Sequence, residues 1–306
     1  MERIVSTPRP DYQAKLEAQG LSFHSWDAYW KEDAYYSFTP QQIDVIEAAT
    51  EELHVMCLEA ASYVIRAGRL TELGVPQQHH KLVADSLSKG AFSLYGRFDF
   101  SYDGQGDPKL LEYNADTPTS LLESAVCQWF WLEEVFPELD QFNSLHEKLI
   151  ERWKALPTRG VVHVASIKGN EEDWVCSTYM MDLITQAGRE ARHIAVEDIG
   201  WNDRERAFVD LAGEPIAAMF KLYPWEWMLK EAFAQNLKIS KTTFVEPVWK
   251  SLLSCKALLP ILWELYPGHR NLLAAYRDPH GMPSYARKPV FSREGANTTL
   301  VLLALA

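Results

Sequence analysis

Gly96-Arg97-Phe98-Asp99-Phe100 is followed by Ser101-Tyr102-Asp103-Gly104-Gln105-Gly106-Asp107-Pro108, and then by Lys109-Leu110-Leu111-Glu112-Tyr113-Asn114. The two outer runs alternate large apolar and charged side chains. The segment between them is rich in Gly, Asp and Pro, residues that tolerate turn geometry. This pattern predicts a β-hairpin. With Gln105 and Gly106 at the tip, Asp99 faces Glu112 and Arg97 faces Asn114. Side chains two apart share a strand face. Arg97, Asp99, Glu112 and Asn114 are therefore expected to form one polar square, with Phe98, Phe100, Leu111 and Tyr113 on the opposite face.

Two carboxylates and an amide within reach of one another are hard oxygen ligands, suited to Mg2+ rather than zinc. An arginine beside them can grip a phosphate or carboxylate with its two-pronged fork. A solvent-facing strand pair with ordinary cross-strand charge pairs would display the same residues. Asn114 tips the balance toward function, because strands disfavour Asn.

Upstream, Phe23, Trp26, Tyr29, Trp30, Tyr35, Tyr36 and Phe38 read as anchors of an N-terminal segment, with Trp26, Tyr29 and Trp30 at helical spacing. Thr39-Pro40-Gln41-Gln42 opens a helix expected over residues 40–67, which Gly68 ends. Downstream, Pro118-Thr119-Ser120 before Leu121 reads as a helix start with Thr117 or Thr119 near the cap. Free backbone N–H groups there either receive an anion or are simply capped. A helix is expected from Leu145, stopped by Pro157.

The β-branched run 160–166, a helix from Glu171 to Ala187 capped by Asn170, and a second run 191–196 form a β-α-β unit, which implies a parallel sheet. Sites in such sheets lie beyond the strands' carboxyl ends. Glu171, Glu172 and Asp173 sit there, either complementing the helix dipole or holding a cationic amine. Further strands are expected over residues 216–222 and near Phe244-Val245-Glu246-Pro247. Lys256 precedes the apolar run 257–263, and Lys288 precedes Pro289-Val290-Phe291 and the loop Ser292-Arg293-Glu294-Gly295-Ala296-Asn297. Two lysines and a small-residue loop suit nucleotide phosphates, although a lysine in such a place is often only solvated.

The chain has 306 residues, 47% of them hydrophobic, and a formal net charge of −12. It is long enough for a large core and, as a prior, for two domains. The acidic balance argues against nucleic-acid binding. No 18-residue apolar run marks a membrane span, and no basic-plus-apolar leader opens the chain. Cys57, Cys127, Cys176 and Cys255 are widely spaced, as in reduced cytoplasmic proteins. The apolar tail 298–306 reads either as an inserted central strand or as the point where a reading frame stops. The oligomeric state is not legible.

The hairpin, together with Asn170-Glu171-Glu172, Lys256-Ala257-Leu258-Leu259-Pro260-Ile261-Leu262-Trp263 and Lys288-Pro289, resembles the glutathionylspermidine synthase family over residues 10–299. The resemblance implies an ATP-grasp-like α/β fold. It would have a helical N-terminal part, a catalytic β-hairpin, a β-α-β pre-ATP-grasp unit and an incomplete ATP-binding lid. Residues 1–245 would carry the pre-ATP-grasp and hairpin region, and 246–306 the start of the lid.

It implies an ADP-forming carbon–nitrogen ligase, using ATP and Mg2+, that joins a peptide-like acid to an amine through an acyl phosphate. Asp99, Glu112 and Asn114 would be the metal ligands. Arg97 would be catalytic. Arg97, Phe98, Asp99, Lys256, Lys288 and Glu294 would contact the nucleotide. Thr117, Thr119, Glu171 and Glu172 would contact substrate. Leu222 and Trp227 replace threonines of the synthase pocket, so the resemblance does not fix glutathione and spermidine as substrates. A nucleotide- or peptide-binding protein without catalysis, an inactive fragment, and a different ATP-grasp ligase are the competing expectations.

Overall fold

The computed structural model describes residues 1–292 and 295–302. In chain order the elements are β1 (Glu2–Val5), α1 (Tyr12–Ala18), β2 (Ala34–Ser37), α2 (Pro40–Arg66), α3 (His80–Ser88), β3 (Arg97–Ser101), β4 (Lys109–Asn114), α4 (Gln128–Val135), α5 (Leu145–Lys154), β5 (Val162–Ser166), α6 (Glu171–Gln186), β6 (Ala191–Ala195), β7 (Gly200–Asn202), β8 (Ala207–Val209), β9 (Ala218–Lys221), α7 (Trp225–Met228), β10 (Thr243–Val245), α8 (Leu258–Leu265), β11 (Tyr285–Arg287) and β12 (Thr299–Val301). This is the mixed α/β class expected. The chain divides into two compact units. The first takes residues 1–39, 92–95 and 117–247; the second takes 40–91, 96–116 and 248–306.

The first unit is built on a parallel sheet in the order β10-β9-β5-β6. β5, α6 and β6 form the predicted β-α-β crossover, with Val164 paired to His193. Asn170 caps α6 by accepting the Asp173 N–H at 3.0 Å, and Gly188, just past the end, has φ of 78°. One face of the sheet packs Val164 and Phe220 against Val175, Met180 and Leu183 of α6 and Trp153 of α5. All these side chains are buried, as expected of a parallel sheet covered by helices.

One expectation for the first unit needs correcting, and two features go beyond what was expected. Trp26 and Tyr29 do not share a packed helical face. The segment is only a three-residue 3-10 turn, both rings are exposed, and Phe23 takes the core position. β1 and β2 pair antiparallel, from Glu2↔Ser37 to Val5↔Ala34, a small sheet too short to announce itself by alternation. After Ser120, which has φ of 67°, the helical path passes through a π-helical turn, Glu123–Cys127, before α4.

In the second unit α2 presents Ala49, Leu53, Met56, Cys57, Ala60 and Val64 to the interior, and α8 packs on it through Leu258, Ile261 and Leu262. The apolar run after Lys256 is thus a helix. Pro260 lies in its first turn, where a missing N–H costs nothing. β11 and β12 pair antiparallel, so Thr299–Val301 is a strand, at the edge of a two-stranded sheet.

β3 and β4 form the predicted hairpin. Its turn is tied by Asp103 Oδ1, which accepts the N–H groups of Gln105 and Gly106 at 2.9 and 3.0 Å. Gly96, just before β3, has no room for a Cβ, which would lie 2.6 Å from the Tyr113 ring. Gly96→Ala should displace that ring and destabilise the protein by about 1–3 kcal/mol, read as a lowered urea midpoint. An unchanged midpoint would show that the ring yields freely.

Candidate active site

The register of the hairpin is the expected one: Arg97↔Asn114, Phe98↔Tyr113 and Asp99↔Glu112. Beyond Asp99 a bulge shifts the pairing to Phe100↔Leu110. Leu111 is the extra residue. This corrects the expected apolar face: Leu110, not Leu111, is buried, and the face consists of Phe98, Phe100, Leu110 and Tyr113. Phe98 stacks on Tyr113 with centroids 3.9 Å apart.

The opposite face brings the polar square together. Arg97 Nε donates to Asp99 Oδ1 at 2.9 Å, and a second guanidinium nitrogen lies 3.4 Å from Oδ2. Asn114 Nδ2 donates to Glu112 Oε1 at 2.9 Å and to Asp99 Oδ2 at 3.3 Å. Lys256 joins the cluster, its ammonium 2.8 Å from Glu112 Oε2. It also donates to the Ser292 carbonyl at 2.8 Å, and its backbone N–H donates to Val290 O at 3.0 Å. Lys256 therefore links the hairpin to the segment that follows Lys288. It is not a merely solvated lysine.

Residues that sequence reasoning missed hold this arrangement. Ser254 Oγ accepts the N–H groups of Ala115 and Asp116, at 2.9 and 2.8 Å, fixing the chain where it leaves β4. Asn271 Nδ2 donates to the Pro108 carbonyl at 2.9 Å, and its own carbonyl accepts the Leu110 N–H. A lone serine and a lone asparagine carry no sequence signal for such long-range ties.

With Lys256, the square contains two carboxylates and two cations. Burial pushes the Glu112 carboxyl up, but hydrogen bonds from Lys256 and Asn114 outweigh it and hold the group below its ordinary value. A carboxyl lowered in the folded state contributes stability that is complete above its unfolded value and is lost as pH falls through the folded one. The loss here falls on the acid side of the ordinary glutamate range. Lys256→Met removes the largest opposing contact, so the Glu112 titration midpoint should rise to or above the ordinary value. Carbon-detected NMR of the carboxyl reads this, and an unmoved midpoint would deny the ion pair its role.

The Asp99 and Glu112 carboxylates are hard oxygen donors suited to a divalent cation, whereas Asn114 turns its amide nitrogen toward both of them, so its oxygen would join the set only with the amide turned over. Among the described residues no group of three or more His, Cys, Asp or Glu could hold a metal, so the amide is needed to complete the set.

Of the remaining expected site residues, Lys288 is half-buried beyond β11, and no contact places its ammonium at the square. Glu294 lies outside the described residues. Thr117, Thr119, Glu171 and Glu172 belong to the first unit. There Tyr95 donates to the Pro118 carbonyl between the two threonines. Glu171, in the first turn of α6, accepts from Ser22 Oγ at 2.5 Å. Tyr29 donates to the buried Glu123 at 2.6 Å. Burial, that bond and the nearby Glu172 together push the Tyr29 hydroxyl well up.

Residues 3–304 match the family described as Glutathionylspermidine synthase preATP-grasp. The chain belongs to that family. It is 41% identical over 313 residues to a protein of Haemophilus influenzae named "Putative acid--amine ligase", covering 97% of this chain and 79% of that one. It is 29% identical to the bifunctional glutathionylspermidine synthetase/amidase of Escherichia coli, covering 87% of this chain and 48% of the relative. The trypanothione synthetase of Crithidia fasciculata is 26% identical, with 81% and 43% covered. The chain thus spans about half or less of these two larger relatives. Among solved structures, a glutathione synthetase-like effector from Globodera pallida superposes with a TM-score of 0.52 at 13% identity, covering 86% of this chain and 69% of that chain. That likeness concerns the fold alone.

Proposed function

We propose that this family member is an ATP- and Mg2+-dependent carbon–nitrogen ligase that couples a carboxylic acid to an amine, releasing ADP. The observation that carries the reading is the cluster of Arg97, Asp99, Glu112, Asn114 and Lys256 on one polar face. The ligase and synthetase names of its relatives support the reaction class. Mg2+, when bound, supplies positive charge to phosphate oxygens. Asp99, Glu112 and, with its amide turned over, the Asn114 oxygen would hold it.

Arg97 aims a planar fork at phosphoryl or carboxylate oxygens and counters the charge that builds on the group in flight. Lys256, tethered by Glu112 and Ser292, and Lys288 offer charges to the nucleotide phosphates, and Phe98 and Glu294 are proposed to contact the nucleotide as well. Transfer of the terminal phosphoryl group to the acid makes an acyl phosphate; attack by the amine then expels phosphate. Thr117, Thr119, Glu171 and Glu172 are proposed to contact the acid and amine. Residues 246–306 are read as the start of the ATP-binding lid, after a pre-ATP-grasp region over 1–245.

No described helix is long and apolar enough to cross a membrane. The four cysteines are free and buried, which supports a reducing compartment such as the cytoplasm.

The test is ADP release from Mg·ATP over a panel of peptides and amines, with the amide product followed by mass spectrometry. ADP formation that requires both substrates supports the ligase. Mg·ATP binding without ADP from any pair would replace it with a nucleotide-binding role.

A further inference from the structure

Every carboxylate oxygen of the square is engaged by a group of the chain itself. Asp99 Oδ1 accepts from Arg97 Nε at 2.9 Å, and Oδ2 faces the same guanidinium at 3.4 Å. Glu112 Oε1 accepts from Asn114 Nδ2 at 2.9 Å, and Oε2 lies 2.8 Å from the Lys256 ammonium. Asn114 Nδ2 also donates to Asp99 Oδ2 at 3.3 Å. The charges of two carboxylates, one guanidinium and one ammonium cancel.

A balanced cluster attracts a divalent cation only weakly. The cation meets two positive groups at close range and competes for oxygens already engaged. Lys256 is the firmer obstacle. It and Glu112 are only 12% and 25% exposed, against 39% and 35% for Arg97 and Asp99, so water and salt screen the lysine pair less. Asn114 adds a second bar. Its oxygen, turned toward two carboxylates, is repelled by both unless a cation lies between them.

Phosphate shifts this balance, because it competes with Glu112 for the same ammonium. When Lys256 turns to phosphate, Glu112 loses its counter-ion and its oxygen opens to a metal. Lys256 stays at the site, since its ammonium also donates to the Ser292 carbonyl at 2.8 Å and its backbone N–H to the Val290 carbonyl at 3.0 Å.

We propose that Lys256 is the resident cation of this site: it holds Glu112 until nucleotide phosphate takes its ammonium, so metal and nucleotide load together rather than the metal first. The inference rests on the ligase reading and adds to it the coupling between the two ligands. Such coupling is reciprocal, each ligand raising the affinity of the other.

Mn2+ stands in for Mg2+, its free concentration read by electron paramagnetic resonance on the full chain without nucleotide. Lys256→Gln keeps a donor but no charge, and should bind Mn2+ about tenfold or more tighter than the unmodified chain. In calorimetry with EDTA the same substitution should weaken metal-free ATP about tenfold. These opposite signs mark a lysine handed from carboxylate to phosphate. An unchanged Mn2+ affinity would mean that Lys256 only grips phosphate, and an unchanged ATP affinity that it only braces Glu112; either overturns the proposal. Glu112→Gln should weaken Mn2+ and, by releasing Lys256, tighten metal-free ATP about fivefold. That second readout stands apart from the folding of Lys256→Gln, which the thermal midpoint reports, and an unchanged ATP affinity there also overturns the proposal. If Mn2+ responds to Glu112→Gln but not to Lys256→Gln, the metal site stands and the resident-cation role falls. If Mn2+ ignores Glu112→Gln, both fall.

Discussion

Replacing Arg97 by alanine should slow Mg2+- and ATP-dependent ADP release on the order of 10²–10³-fold, the usual loss when one donor aimed at developing charge is removed. The thermal midpoint should barely move. Arg97 is 39% exposed and pairs with Asp99, itself 35% exposed, and pairs of that kind contribute little to stability. Arg97→Lys keeps the charge but loses the planar fork, so it should recover only part of the rate. Steady-state turnover with a productive acid–amine pair, measured beside the melting curve, separates chemistry from folding. Turnover equal to that of the unmodified protein would remove Arg97 from the reaction and with it the main support for the ligase reading.

The second large effect concerns Glu246, in the first unit. Glu246 is wholly buried. Both its oxygens accept the Leu94 N–H at 3.1 Å, and one accepts the Tyr95 N–H at 2.9 Å. Its own carbonyl accepts the Trp225 indole N–H at 3.0 Å. The carboxylate thus fastens residues 94 and 95 to the sheet end. Glu246→Ala leaves two backbone donors without this acceptor and opens a cavity, and it should cost about 3 kcal/mol or more. At roughly 2 °C per kcal/mol for a chain of this size, the midpoint should fall by about 6 °C or more. Glu246→Gln keeps one acceptor oxygen and should fall between. A midpoint shift within about 1 °C for the alanine variant would refute the role.

In the hairpin, a tip at Gln105 and Gly106 reads Arg97 opposite Asn114 correctly. Next to the turn, however, the pairs are Ser101↔Lys109 and Phe100↔Leu110, one residue off that count, and it is the bulge at Leu111 that restores the expected register from Asp99↔Glu112 onward. The Leu111 bulge was not legible, because one extra residue leaves the local pattern nearly unchanged and is settled by packing of Leu110. The β-α-β unit was legible from β-branched runs, the Asn170 cap and Gly188. Lys256 could be singled out, but its bond to Glu112 spans 144 positions, and no local pattern encodes such a distance. Glu246 reads as an ordinary strand end; its importance comes from Leu94 and Tyr95, far away in sequence. Trp26 and Tyr29 misled because helical spacing was present without a helix.

The pairing of α2 with α8 bears on the order in which the protein can be made. About 190 residues separate Arg66 from Leu258. At roughly 5–20 residues per second, a ribosome needs on the order of 10–40 s to bridge that gap. Throughout that interval the stripe of Leu53, Met56, Cys57, Ala60 and Val64 exists without the helix that covers it. The nascent chain should therefore hold a sticky surface open for tens of seconds, a window in which a chaperone that shields apolar helices would decide the yield.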